Sequence, residues 1–163
     1  MKRSFLLFLS VFSLFLISCV RQSYGILPFE GKDVYAECKI NGKFDAIIEK
    51  TEGTRLLRTL SPSEIEGIEF VFSDSGDFVT SGNISMSFDR EHLLGIYALS
   101  SLFNISEEMT VSAVSRDEMG MLTLSYEGIE YTLIFDREGN LREANILGDG
   151  FSYNVEITHI RIE

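Results

Sequence analysis

Val34-Tyr35-Ala36-Glu37-Cys38-Lys39-Ile40, then Asn41-Gly42-Lys43, then Phe44-Asp45-Ala46-Ile47-Ile48-Glu49: this stretch decides the fold. Two short runs with apolar residues at every second place flank Asn-Gly. That dipeptide accepts the positive φ angles of a tight hairpin turn. Two registers compete. A two-residue loop pairs Cys38 with Asp45 and Ala36 with Ile47. A three-residue loop, Asn41 to Lys43, pairs Ile40 with Phe44, Cys38 with Ala46 and Ala36 with Ile48. A one-residue slip moves a strand's apolar set to the other face, so only one register serves a core. The three-residue loop collects the apolar residues on one face. It predicts that Cys38 points inward.

The same pattern continues outward. Arg55 to Leu60 reads as a strand broken by Ser61-Pro62-Ser63. The apolar run Ile68 to Phe72 follows, then a turn at Ser73 to Asp77, then Phe78 to Thr80 and Ile84 to Phe88. Beyond the middle of the chain come Met109 to Ser115, Met121 to Tyr126, Ile129 to Phe135, Leu141 to Leu147 and Phe151 to Ile162. Val155 and Ile157 alternate, and Ile160 and Ile162 alternate in the other frame. A bulge near Thr158-His159 accounts for the shift. Tight turns join most neighbours, so about ten mostly antiparallel strands are expected. One helix interrupts them. Asp89 is its N-cap, Glu91 lies in its first turn, and Leu93, Leu94, Tyr97, Ala98, Ser101 and Leu102 repeat with helical period up to Phe103. Strands and helices do not alternate, which excludes a parallel α/β fold. The expected class is mainly β (α+β): a curved, mostly antiparallel sheet or half-open β-barrel with one inserted helix.

The N-terminus has a different character. Lys2 and Arg3 precede an apolar run from Ser4 to Ile17, too short for a transmembrane helix and of signal-peptide length. The run ends Leu16-Ile17-Ser18-Cys19. That ending resembles the bacterial lipobox, with Leu at −3, a small residue at −1 and Cys at +1. The resemblance implies a diacylglycerol thioether on Cys19, cleavage before it, further acylation such as palmitate, and attachment to the outer face of the cell membrane. Residues 1–18 are then a lipoprotein signal peptide, 19–32 the lipidated cysteine and a tether, and 33–163 a single β-rich domain.

Cleavage before Cys19 removes 18 of the 163 residues and leaves 145. It also removes Lys2 and Arg3 and no acid, so the net charge falls from −11 to −13. Such acidity argues against nucleic acid and against polybasic docking on anionic lipid. Cys38 is the only other cysteine, so no disulfide within the chain is expected once Cys19 is lipidated.

Leu60-Ser61-Pro62, Gly67-Ile68-Glu69-Phe70 and Tyr131-Thr132-Leu133-Ile134-Phe135-Asp136-Arg137-Glu138-Gly139, together with the lipobox, resemble small lipoproteins of clostridial and related bacteria. Those in turn resemble the LolA-like family of half-open β-barrels, in which a sheet wraps over helices and leaves an apolar cavity. The resemblance runs from about Val34 to Glu163 and implies a carrier of lipid.

No pattern of catalytic residues stands out. The two histidines, His92 and His159, read as exposed residues of the helix start and the bulge. Asp74 with Asp77 and Asp136 with Glu138 lack the six to eight oxygens of a Ca²⁺ site and read as turn chemistry. Glu107-Glu108 and Asp117-Glu118 read as solvated loop charges. No metal, cofactor or catalytic residue is expected. The functional expectation is a non-enzymatic, membrane-anchored binding module that holds a lipid or other apolar ligand in a concave sheet. The alternative is a structural or regulatory envelope protein that binds another protein without a small ligand.

Overall fold

The hairpin at Asn41-Gly42 adopts the three-residue register, with Ile40 opposite Phe44, Cys38 opposite Ala46 and Ala36 opposite Ile48. Asn41 and Gly42 take positive φ values of 52° and 66°, and the Lys43 amide donates to the Ile40 carbonyl at 3.0 Å. The computed structural model describes residues 27–104, 110–113, 120–126 and 128–163. Cys19 and its leader lie outside these residues, as do Glu107-Glu108 and Asp117-Glu118.

Six strands follow in order: β1 (Val34–Ile40), β2 (Phe44–Thr51), β3 (Thr54–Thr59), β4 (Ile68–Ser73), β5 (Gly76–Ser81) and β6 (Ile84–Ser87). A 3₁₀ turn (Arg90–Leu93) and the helix α1 (Leu94–Ser100) come next. Five more strands complete the fold: β7 (Thr110–Ala113), β8 (Met121–Tyr126), β9 (Ile129–Phe135), β10 (Leu141–Gly148) and β11 (Phe151–Ile162). They form one open sheet of eleven strands, one more than the sequence suggests, in the order β6-β5-β4-β3-β2-β1-β11-β10-β9-β8-β7. Every neighbouring pair is antiparallel. The chain thus meanders from β1 out to the edge β6, crosses by way of α1 to the far edge β7, and returns to close β11 onto β1. Asp33 and Glu163 exchange backbone hydrogen bonds of 3.2 and 3.0 Å at that seam. The expected bulge is present: Glu37 pairs with His159 and Cys38 with Ile157, leaving Thr158 over, and its hydroxyl donates to the Glu37 carbonyl at 3.0 Å.

The sheet curls around α1. The helix contacts β2, β3 and β4 to one side of β1 and β10 and β11 to the other. One apolar core takes in Ala36, Ile48, Leu57, Leu124, Tyr131, Leu133 and Val155 together with Ala98 of the helix and Leu102 just past it. The close approach needs Gly95: a Cβ there would lie 2.6 Å from the Tyr153 hydroxyl. The Tyr131 hydroxyl donates to the Ala98 carbonyl at 3.3 Å.

The helix differs from its sequence reading in two ways. Asp89 does cap the element, accepting from the Glu91 amide at 3.2 Å, but the first turn is 3₁₀ and the α-helix ends at Ser100. The expected apolar stripe is also replaced. Leu94 is 46% exposed, whereas every residue from Tyr97 to Phe103 is buried. A helix end surrounded by a curled sheet has no solvent face, so the amphipathic period disappears there.

Residues ahead of the expected domain boundary at Asp33 join the core. Phe29 is fully buried, with its ring 5.3 Å from that of Phe103 in an edge-to-face pair at 85°. Leu27 also packs against the core. The Lys50 ammonium donates to the Phe29 carbonyl at 3.2 Å. Among the described residues, packing therefore reaches back to Leu27, six residues before the boundary expected at Asp33.

Candidate functional site

Burial along one row of cross-strand partners shows where α1 stops. Ala36, Ile48, Leu57, Phe70, Val79 and Met86 lie opposite one another in sequence across β1 to β6. The first three are buried, Phe70 and Val79 are half-buried, and Met86 is 62% exposed. In the same wing Ile68 pairs with Ser81, and Ser81 with Ile84, which is 66% exposed. Partners directly opposite point to the same face of a sheet. The core-facing side of the β4–β6 wing is thus apolar and uncovered toward its edge. The cause is geometric: α1 is seven residues long, spanning about 10 Å at 1.5 Å per residue, and its main sheet contacts are with β2, β3, β4, β10 and β11.

Polar side chains close the other end of this wing. Both Asp77 carboxylate oxygens accept from Arg90, at 2.8 and 2.9 Å. The Arg90 guanidinium hydrogen bonds hold the Asp77 carboxyl below the usual carboxylate range, against the opposing effect of its burial. Arg90 and Arg55 both stack on the Tyr97 ring, with guanidinium carbons 4.7 and 4.8 Å from its centroid. Arg55 also donates to the Ser101 hydroxyl at 2.9 Å, and Phe72 meets Tyr97 edge-on at 5.5 Å. These contacts fasten α1 to β3, β4 and β5. Beside them is a wide depression, open to solvent, lined by Ser73, Asp77, Phe88, Arg90 and Leu94 among others. Its walls mix charge and apolar carbon, unlike the uncovered rows.

The residues singled out in the sequence lie apart. Asp77 points inward to Arg90, while Asp74 is exposed in the adjoining turn. The Asp136 carboxylate accepts from the Glu138 and Asn140 amides at 2.9 Å each and from Arg142 at 2.8 Å. Its pKa falls to about 2, chiefly through the Asn140 amide. A carboxylate engaged by its own turn and by an arginine is turn chemistry, as read. His92 and His159 are both exposed. Among the described residues no group of three or more His, Cys, Asp or Glu is placed to hold a metal ion. No helix among them is long and apolar enough to cross a membrane.

Cys38 is buried and its thiol donates to the Ala46 carbonyl at 3.5 Å. Burial, with a smaller effect of Asp45, raises its pKa from 9.0 to about 12. Three pKa units reduce the thiolate fraction about a thousandfold. In the chain from Val20 onward, whose only cysteine is Cys38, a thiol reagent at pH 8 is expected to label the denatured protein and leave the native protein unlabelled. Rapid labelling of the native chain would contradict the burial.

Fold and site together define an open antiparallel sheet wrapped on a short helix, with one apolar wing left uncovered. No family model matches the chain, and no curated protein matches its sequence. Solved structures similar to the chain include two at low identity. One is an uncharacterized conserved protein from Thermus thermophilus, 9% identical, with a TM-score of 0.46 over 83% of this chain and 81% of that one. The other is a LolA superfamily protein from Nitrosomonas europaea, 8% identical, with a TM-score of 0.42 over 81% of this chain and 84% of that one.

Proposed function

We propose that this chain is a bacterial lipoprotein, lipidated at Cys19, whose domain is a non-enzymatic module that holds a lipid or other apolar ligand against the β4–β6 wing. The observation that carries the ligand reading is the row Leu57, Phe70, Val79, Met86, apolar throughout and progressively uncovered. Contiguous exposed apolar surface on a soluble domain usually marks a binding site. The resemblance to LolA-like half-barrels, noted from the sequence, implies the same kind of ligand. The non-enzymatic part rests on the polar cluster. Asp77 is doubly hydrogen-bonded to Arg90 and held low in pKa, so it stays ionised and paired near neutral pH rather than moving protons.

The test is a titration of an environment-sensitive fatty-acid probe into the chain from Val20 onward. A saturable signal that unlabelled fatty acid displaces is expected. Met86→Glu places a carboxylate at a position already exposed, so the fold is kept, and it is expected to weaken the probe about tenfold or more, since an unpaired charge against apolar surface costs at least about 1–2 kcal/mol. Leu94→Glu, beside the polar depression, leaves the affinity unchanged. A folded domain with no saturable signal at tens of micromolar would shift the reading to an envelope protein that binds another protein.

A further inference from the structure

The edge strand β6 lacks the usual protections. Natural sheet edges carry lysine, proline, a bulge or an inward charge that discourages pairing with another strand. From Phe78 to Phe88 the chain contains no charge and no proline, and β5 and β6 pair without a bulge. All four β6 residues are exposed. The hydrogen-bond pattern then fixes which backbone groups are free. The Phe88 amide donates to the Asp77 carbonyl at 3.2 Å, so Phe88 faces β5. In an antiparallel ladder this facing alternates along the strand. Met86 and Ile84 therefore also face β5 with their backbone groups, and Ser85 and Ser87 direct theirs to the open side.

The geometry points to antiparallel pairing of β6 with β6 of a second copy, about a two-fold axis through Ser85. In that register the two Ser85 residues exchange amide–carbonyl bonds and Ser87 meets Asn83 of the other copy. Ile84 falls opposite Met86, and Met86 opposite Ile84. Because a two-fold axis normal to the sheet keeps faces, both pairs lie on the core-facing side. The two most exposed large apolar side chains among the described residues thus cover each other. A one-residue slip loses this match: centring on the peptide between Ser85 and Met86 sets each apolar residue against serine.

Charge is compatible with this register. The chain carries a net charge of −11, and two copies repel at most surfaces. Here Asp89, the nearest acid along the chain, falls opposite Ser81 of the second copy, and no carboxylate opposes a carboxylate across the new ladder. The interface is short, so it suits chains confined to one membrane, where local concentration is high. That confinement rests on lipidation at Cys19; the pairing chemistry does not.

The test is disulfide cross-linking of the full chain in bacterial membranes. Two Ser85 Cα atoms would lie about 5.5 Å apart, within the disulfide range of roughly 4.4–6.8 Å. Two Ser87 Cα atoms would lie about 14 Å apart, beyond it. Under mild oxidation Ser85→Cys is expected to give a cross-linked dimer at least several-fold more abundant than Ser87→Cys or the wild type, which controls for Cys19 and Cys38. Asn83→Cys and Ser87→Cys chains, expressed together, cross-link to each other more than either does alone. No excess dimer from Ser85→Cys and none from the mixed pair would overturn the proposal, as would equal yields at positions 85 and 87. Labelled palmitate measured on the same samples separates failure of the pairing from failure of the anchor.

Discussion

Phe29→Ala is expected to lower the unfolding free energy by about 3–5 kcal/mol, the cost of truncating a fully buried phenylalanine and leaving a cavity. The ring has no exposure and loses its edge-to-face partner Phe103, itself fully buried. Such pairs add about 0.5–1.5 kcal/mol beyond area burial. Against a total of about 5–15 kcal/mol for an ordinary domain, this is a large fraction. The Lys50 bond goes to the Phe29 backbone carbonyl and survives the substitution, so the loss reports the ring. Urea unfolding of the chain from Val20 onward measures it. Lys32→Ala, an exposed neighbour, is the control and stays within about 0.5 kcal/mol of wild type. A loss below about 1 kcal/mol for Phe29→Ala would mean that the segment does not belong to the folded core.

Phe29 was not legible in the sequence for a definite reason. It stands alone among Leu27, Pro28, Glu30 and Gly31, a segment with no period to read. Its burial comes in part from Phe103, far along the chain and just past a helix whose position only the curled sheet defines. The hairpin at Asn41-Gly42 was legible because one register alone gathers its apolar residues, and the seam with β11 adds the bulge that the frame shift at Thr158 demanded. Strands β8 and β9 match their sequence bounds for the same reason: alternation on one buried face is a local signal.

The site was legible only in part. Phe70, Val79 and Met86 each belong to an alternating strand, but their differing exposure depends on how far a short helix reaches over a curved sheet. The Asp77–Arg90 pair hid behind turn-like composition: Ser73 to Asp77 reads as a turn, and the arginine that claims the carboxylate comes thirteen residues later. Tyr97 was expected on an apolar helix face. It is there, yet it serves as a platform for two guanidinium groups, which the spacing of hydrophobic residues does not encode.

Cys19→Ala is expected to abolish incorporation of labelled palmitate when the full chain is made in a bacterium fed the label. In lipobox chemistry the sulfur takes up its diacylglycerol thioether before the leader is cut, so the variant should also retain residues 1–18 and run larger on a gel. Gel mobility and label together decide the matter better than fractionation, because an uncut apolar leader can itself hold the chain in the membrane. A plain signal peptide with a chance cysteine would give unlabelled wild-type protein and unchanged cleavage in the variant; either result would sink the anchor. Seven residues, 20–26, lie between the proposed lipidation site and Leu27, the first described residue packed on the core. Fully extended, at about 3.3–3.6 Å per residue, they reach roughly 25 Å. Each buried CH₂ of the acyl chains contributes about 0.8 kcal/mol, so a diacyl anchor is far more durable than a single chain. A domain held that firmly and that near the bilayer would meet acyl chains as the apolar ligand in highest local supply, the kind of ligand the uncovered β4–β6 wing is proposed to take.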